Sequence, residues 1–202
     1  MQFSCRHMWP KQIFKPPYIV FYPTERLRCK VMKAEDLLTI YQYNQWANNK
    51  VLRQAAKLTP EQLNTPNNLT GGSLFETLIH AYDSEWSWRL VAQEGAMPGK
   101  VLTAEDFPDF PTLRKTWNAE MEVMLAFVQT LEDDWLHKTH EFIWSPRARP
   151  RQRTLWHILF HAANHSTHHR AEIGRYLDTL GHSPKDMDFM IWSGRYAKPT
   201  DK

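Results

Sequence analysis

Thr154-Leu155-Trp156-His157-Ile158-Leu159-Phe160-His161-Ala162-Ala163-Asn164-His165-Ser166-Thr167-His168-His169-Arg170-Ala171-Glu172-Ile173 is the most informative stretch of this chain. Its helical pattern runs on to Leu180 and stops at Gly181, a residue type that readily closes a helix. Six of the ten histidines lie between residues 157 and 182, and five of them (His157, His161, His165, His168 and His169) fall in this one helix. A four-residue step advances only about 40° around a helix, so an i, i+4 pair can aim two imidazoles at one point. A divalent metal needs that geometry from two ligands on a single helix. Three such pairs are present, His157/His161, His161/His165 and His165/His169, and spacing does not choose among them.

Working outward, three more helical stretches precede this one. The first spans about Ala34 to Leu58, with Leu37, Leu38, Tyr41, Val51, Leu52 and Ala55 at three- and four-residue spacings. Thr59-Pro60-Glu61-Gln62 then marks a short new turn with a cap and a proline at the first helical position. The second long helix opens at Ser73-Leu74-Phe75-Glu76, a capping-box spacing directly after Gly71-Gly72, and reaches about Gln93. A third covers about Pro111 to Glu132, with Leu113, Trp117, Met121, Met124, Leu125 and Val128 as its apolar stripe. The long link between the second and third helices, containing Gly95, Pro98, Gly99 and Pro108, can cross the end of a bundle. Between the third and fourth, Thr139 to Trp144 alternates in part and is followed by Pro146 and Pro150, which predicts a short hairpin or extended flap. The fold class is all-α, a four-helix bundle.

Charge divides the chain unevenly. The whole carries +3, but the first 31 residues hold six Lys or Arg against the single acid Glu25, leaving residues 32–202 at −2. Cys5 and Cys29 also fall in that first segment, so the body has neither a cysteine nucleophile nor a cysteine-based zinc site and needs no oxidising compartment. The expected location is cytoplasmic. Residues 1–31 read as an appendage outside the fold, with Met32 as the expected natural start and residues 32–202 as the bundle domain. The body offers no phosphate-tracking surface and no bilayer-length apolar run, so neither nucleic acid nor membrane is expected as a partner.

Three protein ligands are usual for a catalytic zinc, so a third should come from a facing helix. His80 is the only histidine in the first three helices, set among Leu74, Phe75, Leu78 and Ile79. Three segments also carry a family resemblance: Tyr43-Asn44-Gln45-Trp46-Ala47-Asn48 with Leu58 to Leu63, Gly72 to His80 continuing to Glu85, Trp88 and Arg89, and Asn164 to Ile173. Over about residues 32–195 the chain resembles the DinB/YfiT-like metalloenzyme family. The resemblance implies an up-down-down-up bundle with a long crossover between helices two and three, a homodimer, and a divalent metal held by His80, His165 and His169. Zinc or nickel comes first, with iron or manganese also admissible. Ala171 stands where the family usually has Gly.

Given that triad, Asp83, His161, His168 and Glu172 become candidates for supporting it, because a ligating imidazole needs its other nitrogen fixed by a hydrogen bond. Three neutral histidines leave the cation its full charge to acidify a water or an incoming thiol. The family includes members that use a low-molecular-weight thiol as cosubstrate. A thiol-dependent S-transferase acting on a small-molecule substrate is therefore the first expectation, a metal-dependent hydrolase the second, and a non-catalytic bundle tied by metal the third. The last predicts a closed site with no pocket beside it. Arg149, Arg151 and Arg153, in a basic run with Arg147, form an expected anion clamp at the pocket mouth.

Overall fold

The structure is a computed structural model that describes residues 32–143 and 147–197. The appendage expected over residues 1–31, and Trp144 and Pro146 of the expected flap, lie outside the described residues.

Local signals place the helix ends. Helix α1 (Ala34–Ala55) stops three residues before the expected Leu58, where a turn from Ala55 to Leu58 leads into Thr59. Thr59 caps the short α2 (Pro60–Asn64): its Oγ1 accepts from Gln62 N, and Gln62 Oε1 accepts from Thr59 N at 2.9 Å. Helix α3 (Leu74–Glu94) starts where Ser73 Oγ accepts from Glu76 N at 3.1 Å. The expected box is altered, because the Glu76 carboxylate accepts the Ser73 hydroxyl proton at 2.8 Å. A side chain at Gly71 would put its Cβ 2.4 Å from Thr77 N, so the tight entry to α3 needs glycine there. Asp109 caps α4 (Phe110–Gln129), accepting from Thr112 N at 2.8 Å.

After the small helix α5 (Asp133–Leu136), strands β1 (Thr139–Phe142) and β2 (Arg151–Thr154) form the predicted hairpin, pairing Thr139 with Thr154 and Phe142 with Arg151. Helix α6 (Leu155–Thr179) follows, within a residue of each predicted end. Helix α7 (Phe189–Tyr196) is not among the helices that the sequence predicts. It is held to α1 by Tyr43, whose ring meets Phe189 edge-on at 5.3 Å and whose hydroxyl donates to Met187 O at 2.7 Å.

Cross-helix contacts fix the topology of the four long helices. Tyr41 donates to Leu159 O, while further along both helices Asn48 accepts from Arg170, so α1 and α6 run parallel. Trp88 meets His161 and His80 meets His169, which makes α3 antiparallel to α6. Tyr82 packs on Trp117 and Arg89 pairs with Glu120, so α3 and α4 run parallel. The order is up-down-down-up, with the long α3–α4 link, which includes one 3-10 turn (Ala104–Asp106), as the crossover.

The apolar core comes in two blocks. One gathers Leu52, Leu78, Leu113, Trp117 and Ile173, and the other Leu37, Val91, Val128, Ile158 and Leu159. Between them, Asn44, Asn48, Glu85, Ser166 and Arg170 form a buried polar layer. No described helix is long and apolar enough to cross a membrane.

Candidate metal centre

The site is built by two antiparallel neighbours, α3 and α6. His80 lies one and a half turns into α3 and is partly buried. Across from it, His165 and His169 stand one turn apart on α6, and Ser166 and Ile173, on the same side of the helix, are buried. Each of the three imidazoles offers one nitrogen that lies within 4.8 Å of the other two. His165 Nε2 is 3.1 Å from His169 Nε2, and the His80 ring meets the His169 ring edge-on at 4.7 Å. Among the three pairs that spacing left open on α6, the geometry gathers His165/His169 with His80.

Burial favours neutral rings at His161, His165 and His169. Burial, then the neighbouring imidazoles of His169, His161, His80 and His168, push His165 down to about 4. Burial and His80 also lower His169, against an opposing pull from Glu172. A neutral imidazole keeps one lone pair, so the cluster concentrates acceptors rather than positive charge.

Glu172 lies beside the cluster. Its carboxylate accepts from Thr70 N at 2.6 Å and from Thr70 Oγ1 at 2.8 Å, and it presents Oε2 to His169 Nδ1 at 3.6 Å. That distance is too long for a hydrogen bond, and the buried Nδ1 has no other polar partner. The carboxylate nevertheless favours a proton on Nδ1 over one on Nε2. Asp83 does something different: its Oδ1 accepts from Leu102 N at 3.1 Å and pins the crossover, while its charge lies close enough to His80 to be felt. His161 stacks on His165 at 5.7 Å, and His168 stands exposed with its ring 6.4 Å from that of His165. His140 is occupied elsewhere, bonded to Val91 O at 2.8 Å.

Beyond His161 opens a groove of about 430 Å³ lined by Trp88, Phe142, Arg151, Arg153, His157, Ile158 and His161. Two of the three arginines singled out by sequence belong to its wall; Arg149 is exposed and is not among the lining residues. Trp88 and Phe142, which sequence reasoning did not assign to a site, supply the apolar side. The pairing that brings Phe142 beside Arg151 crosses the hairpin, and no spacing along the chain signals it.

The DinB family model matches residues 32–197. The chain belongs to the DinB family. Among its relatives in Bacillus subtilis strain 168, Protein DinB is 24% identical over 159 residues, covering 76% of this chain and 91% of that protein. The uncharacterized protein YizA is 26% identical over 165 residues, covering 81% and 98%. Two solved structures of Bacillus subtilis proteins share the fold of this DinB-family chain. The DinB-like protein YjoA has a TM-score of 0.53 at 20% identity over 71% of this chain and 92% of its own. YfiT, described as a probable metal-dependent hydrolase with an unusual four-helix bundle topology, has a TM-score of 0.58 at 21% identity, over 81% and 95%.

Proposed function

We propose that this protein is a metal-dependent enzyme that holds one divalent cation on His80, His165 and His169 and hydrolyses a small molecule. The observation that carries the reading is the convergence of three imidazole nitrogens from two helices within 4.8 Å. Two nitrogens bound to one tetrahedral zinc stand about 3.3 Å apart, given bonds of about 2.0–2.1 Å. The 3.1 Å between His165 Nε2 and His169 Nε2 is close to that separation. The donor set fits a first-row ion, with zinc or nickel first and iron or manganese next.

When bound, such an ion supplies Lewis-acid chemistry that favours the deprotonated form of a water or thiol. The chain's own residues do the rest. Glu172, anchored by Thr70, favours the Nδ1-H tautomer of His169 and so leaves Nε2 free to ligate. The low affinity of His165 for protons keeps its lone pair available through the neutral range. An open groove next to His161 suits an enzyme better than a metal strut, which would be closed on all sides.

Hydrolysis is supported by what is described for YfiT. Thiol transfer is a second reading, favoured by one observation: residues 32–202 contain no cysteine, so any thiolate must arrive on a cosubstrate. The proposal includes a cytoplasmic homodimer with no nucleic-acid or membrane partner, to be checked by light scattering. Metal analysis of the purified chain should give about one first-row divalent ion, lost in His80→Ala and in His165→Ala; full occupancy in both variants refutes the triad. The metallated protein is then assayed against ester and amide substrates, and against low-molecular-weight thiols with an electrophile. Turnover in the first set alone supports hydrolysis, and thiol adducts support transfer.

A further inference from the structure

The groove between the hairpin and the start of α6 has no role in holding the cation, yet its chemistry is distinctive. Strand alternation and register put Arg151 and Arg153 on one face of β2, with Phe142 and His140 opposite them on β1. The one acid of the hairpin, Glu141, pairs with Gln152 on the other face, where Gln152 Nε2 donates to its carboxylate at 3.1 Å. The arginine face is thus separated from the nearest strand carboxylate.

Arg153 is oriented by the backbone of the preceding residue, Nη1 donating to Gln152 O at 2.7 Å, which leaves further N–H groups of its fork for an anion. Helix α6 starts beside the groove, and Thr154 gives it no side-chain cap bond, so the positive end of the helix adds to the arginine charge. Opposite this cationic rim, Trp88 and Phe142 meet at 6.0 Å as an aromatic wall, and Ile158 completes the apolar lining.

The third feature is direction. His157, His161 and His165 follow one another at single turns, so they lie about 6 Å apart along the helix. His157 and His161 line the groove, and His161 stacks on His165. The groove therefore runs from the arginines to His161, one helical turn (about 6 Å) short of His165.

We propose that this groove binds an elongated organic carboxylate, its anionic end held by Arg151 and Arg153, its apolar body against Trp88 and Phe142, and its far end at His161, beside the histidine triad. The arginine fork suits the two oxygens of a carboxylate, and the volume suits a single small molecule. Which end reacts rests on the metal reading above; the recognition of the anion does not.

Isothermal titration of the metal-loaded full chain with 4-phenylbutanoate and its neutral isostere 4-phenylbutanamide tests this assignment. The carboxylate should bind at least about tenfold more tightly, and the Arg151→Gln/Arg153→Gln double variant should cut that preference to about twofold or less with unchanged metal content. Both side chains are exposed on a surface strand, and circular dichroism is to check that the variant folds. Equal affinity of the two ligands, or a preference that survives the double variant, overturns the proposal. So does displacement of 4-phenylbutanoate by inorganic phosphate at equal concentration, which would mean that charge alone is read. A chain that carries metal but shows no preference sinks the groove and spares the triad. A chain with an arginine-dependent preference and no metal does the opposite.

Discussion

Two polar clusters lie inside this bundle, and they are built on opposite principles. Around Glu85 every strong group is matched: its carboxylate accepts from Asn44 at 2.9 Å, Asn48 at 2.8 Å and Trp117 Nε1 at 2.8 Å. The same asparagines turn their oxygens to Arg170, which also donates to Thr167 Oγ1 at 2.8 Å. Four helices are joined by one acid and one base through two amides. At His80, His165 and His169 the opposite holds, because three imidazoles face one another and a buried nitrogen of His169 lacks a hydrogen-bond partner. A satisfied network specifies structure, whereas an accumulation of lone pairs specifies a cation.

The sharpest way to break that distinction is to attack the satisfied cluster. Glu85→Ala leaves Arg170 buried without its countercharge and should cost about 3–5 kcal/mol in urea unfolding, the usual loss when a buried pair is broken. A loss below about 1 kcal/mol would deny the cluster its structural role. His165→Ala should behave differently: with chelator present the fold stays intact, but the stabilisation conferred by metal vanishes. In the wild type that gain should reach about 4 kcal/mol when free metal is about a thousand times Kd, read as a rise in Tm. Smaller again is Glu172→Ala, expected to weaken metal affinity about 10–100-fold through the His169 tautomer, with Thr70→Val following in the same direction.

Acid gives the mildest test, on the metal-free protein. His165 titrates near 4 when folded and near its ordinary 6.5 when unfolded, so between those values the unfolded chain binds the extra proton. Its contribution to stability is complete above about pH 6.5 and drains away as pH falls towards 4. Replacing it in His165→Gln should flatten the stability-pH curve in that window, and an unchanged slope would contradict the shift.

How much of this was legible depended on whether the signal lay along one element or across several. Helix starts were readable because caps such as Ser73 and Thr59 act within three residues of themselves. The histidine row on α6 showed a metal-competent periodicity, though choosing His165/His169 required the facing His80. The polar layer was harder to read. Asn44 and Asn48 stand at i, i+4 on the buried side of α1, a signal present in the sequence, but their meaning depends on Glu85 and Arg170 arriving from two other helices. Thr70 was invisible as a support for Glu172 because a loop 102 positions away supplies it. Asp83 had the right spacing to serve His80, yet the backbone N–H of Leu102 claims its oxygen.

His169 and Arg170 are consecutive residues, one turned to the triad and the other to the saturated layer. Successive side chains on a helix diverge by about 100°, so each cluster fixes the azimuth of α6 for the other. Inserting a single residue between His169 and Arg170 would rotate one part of that index against the rest. The histidine cluster is in this sense keyed to its frame, like a shaft held by two flats cut at different angles.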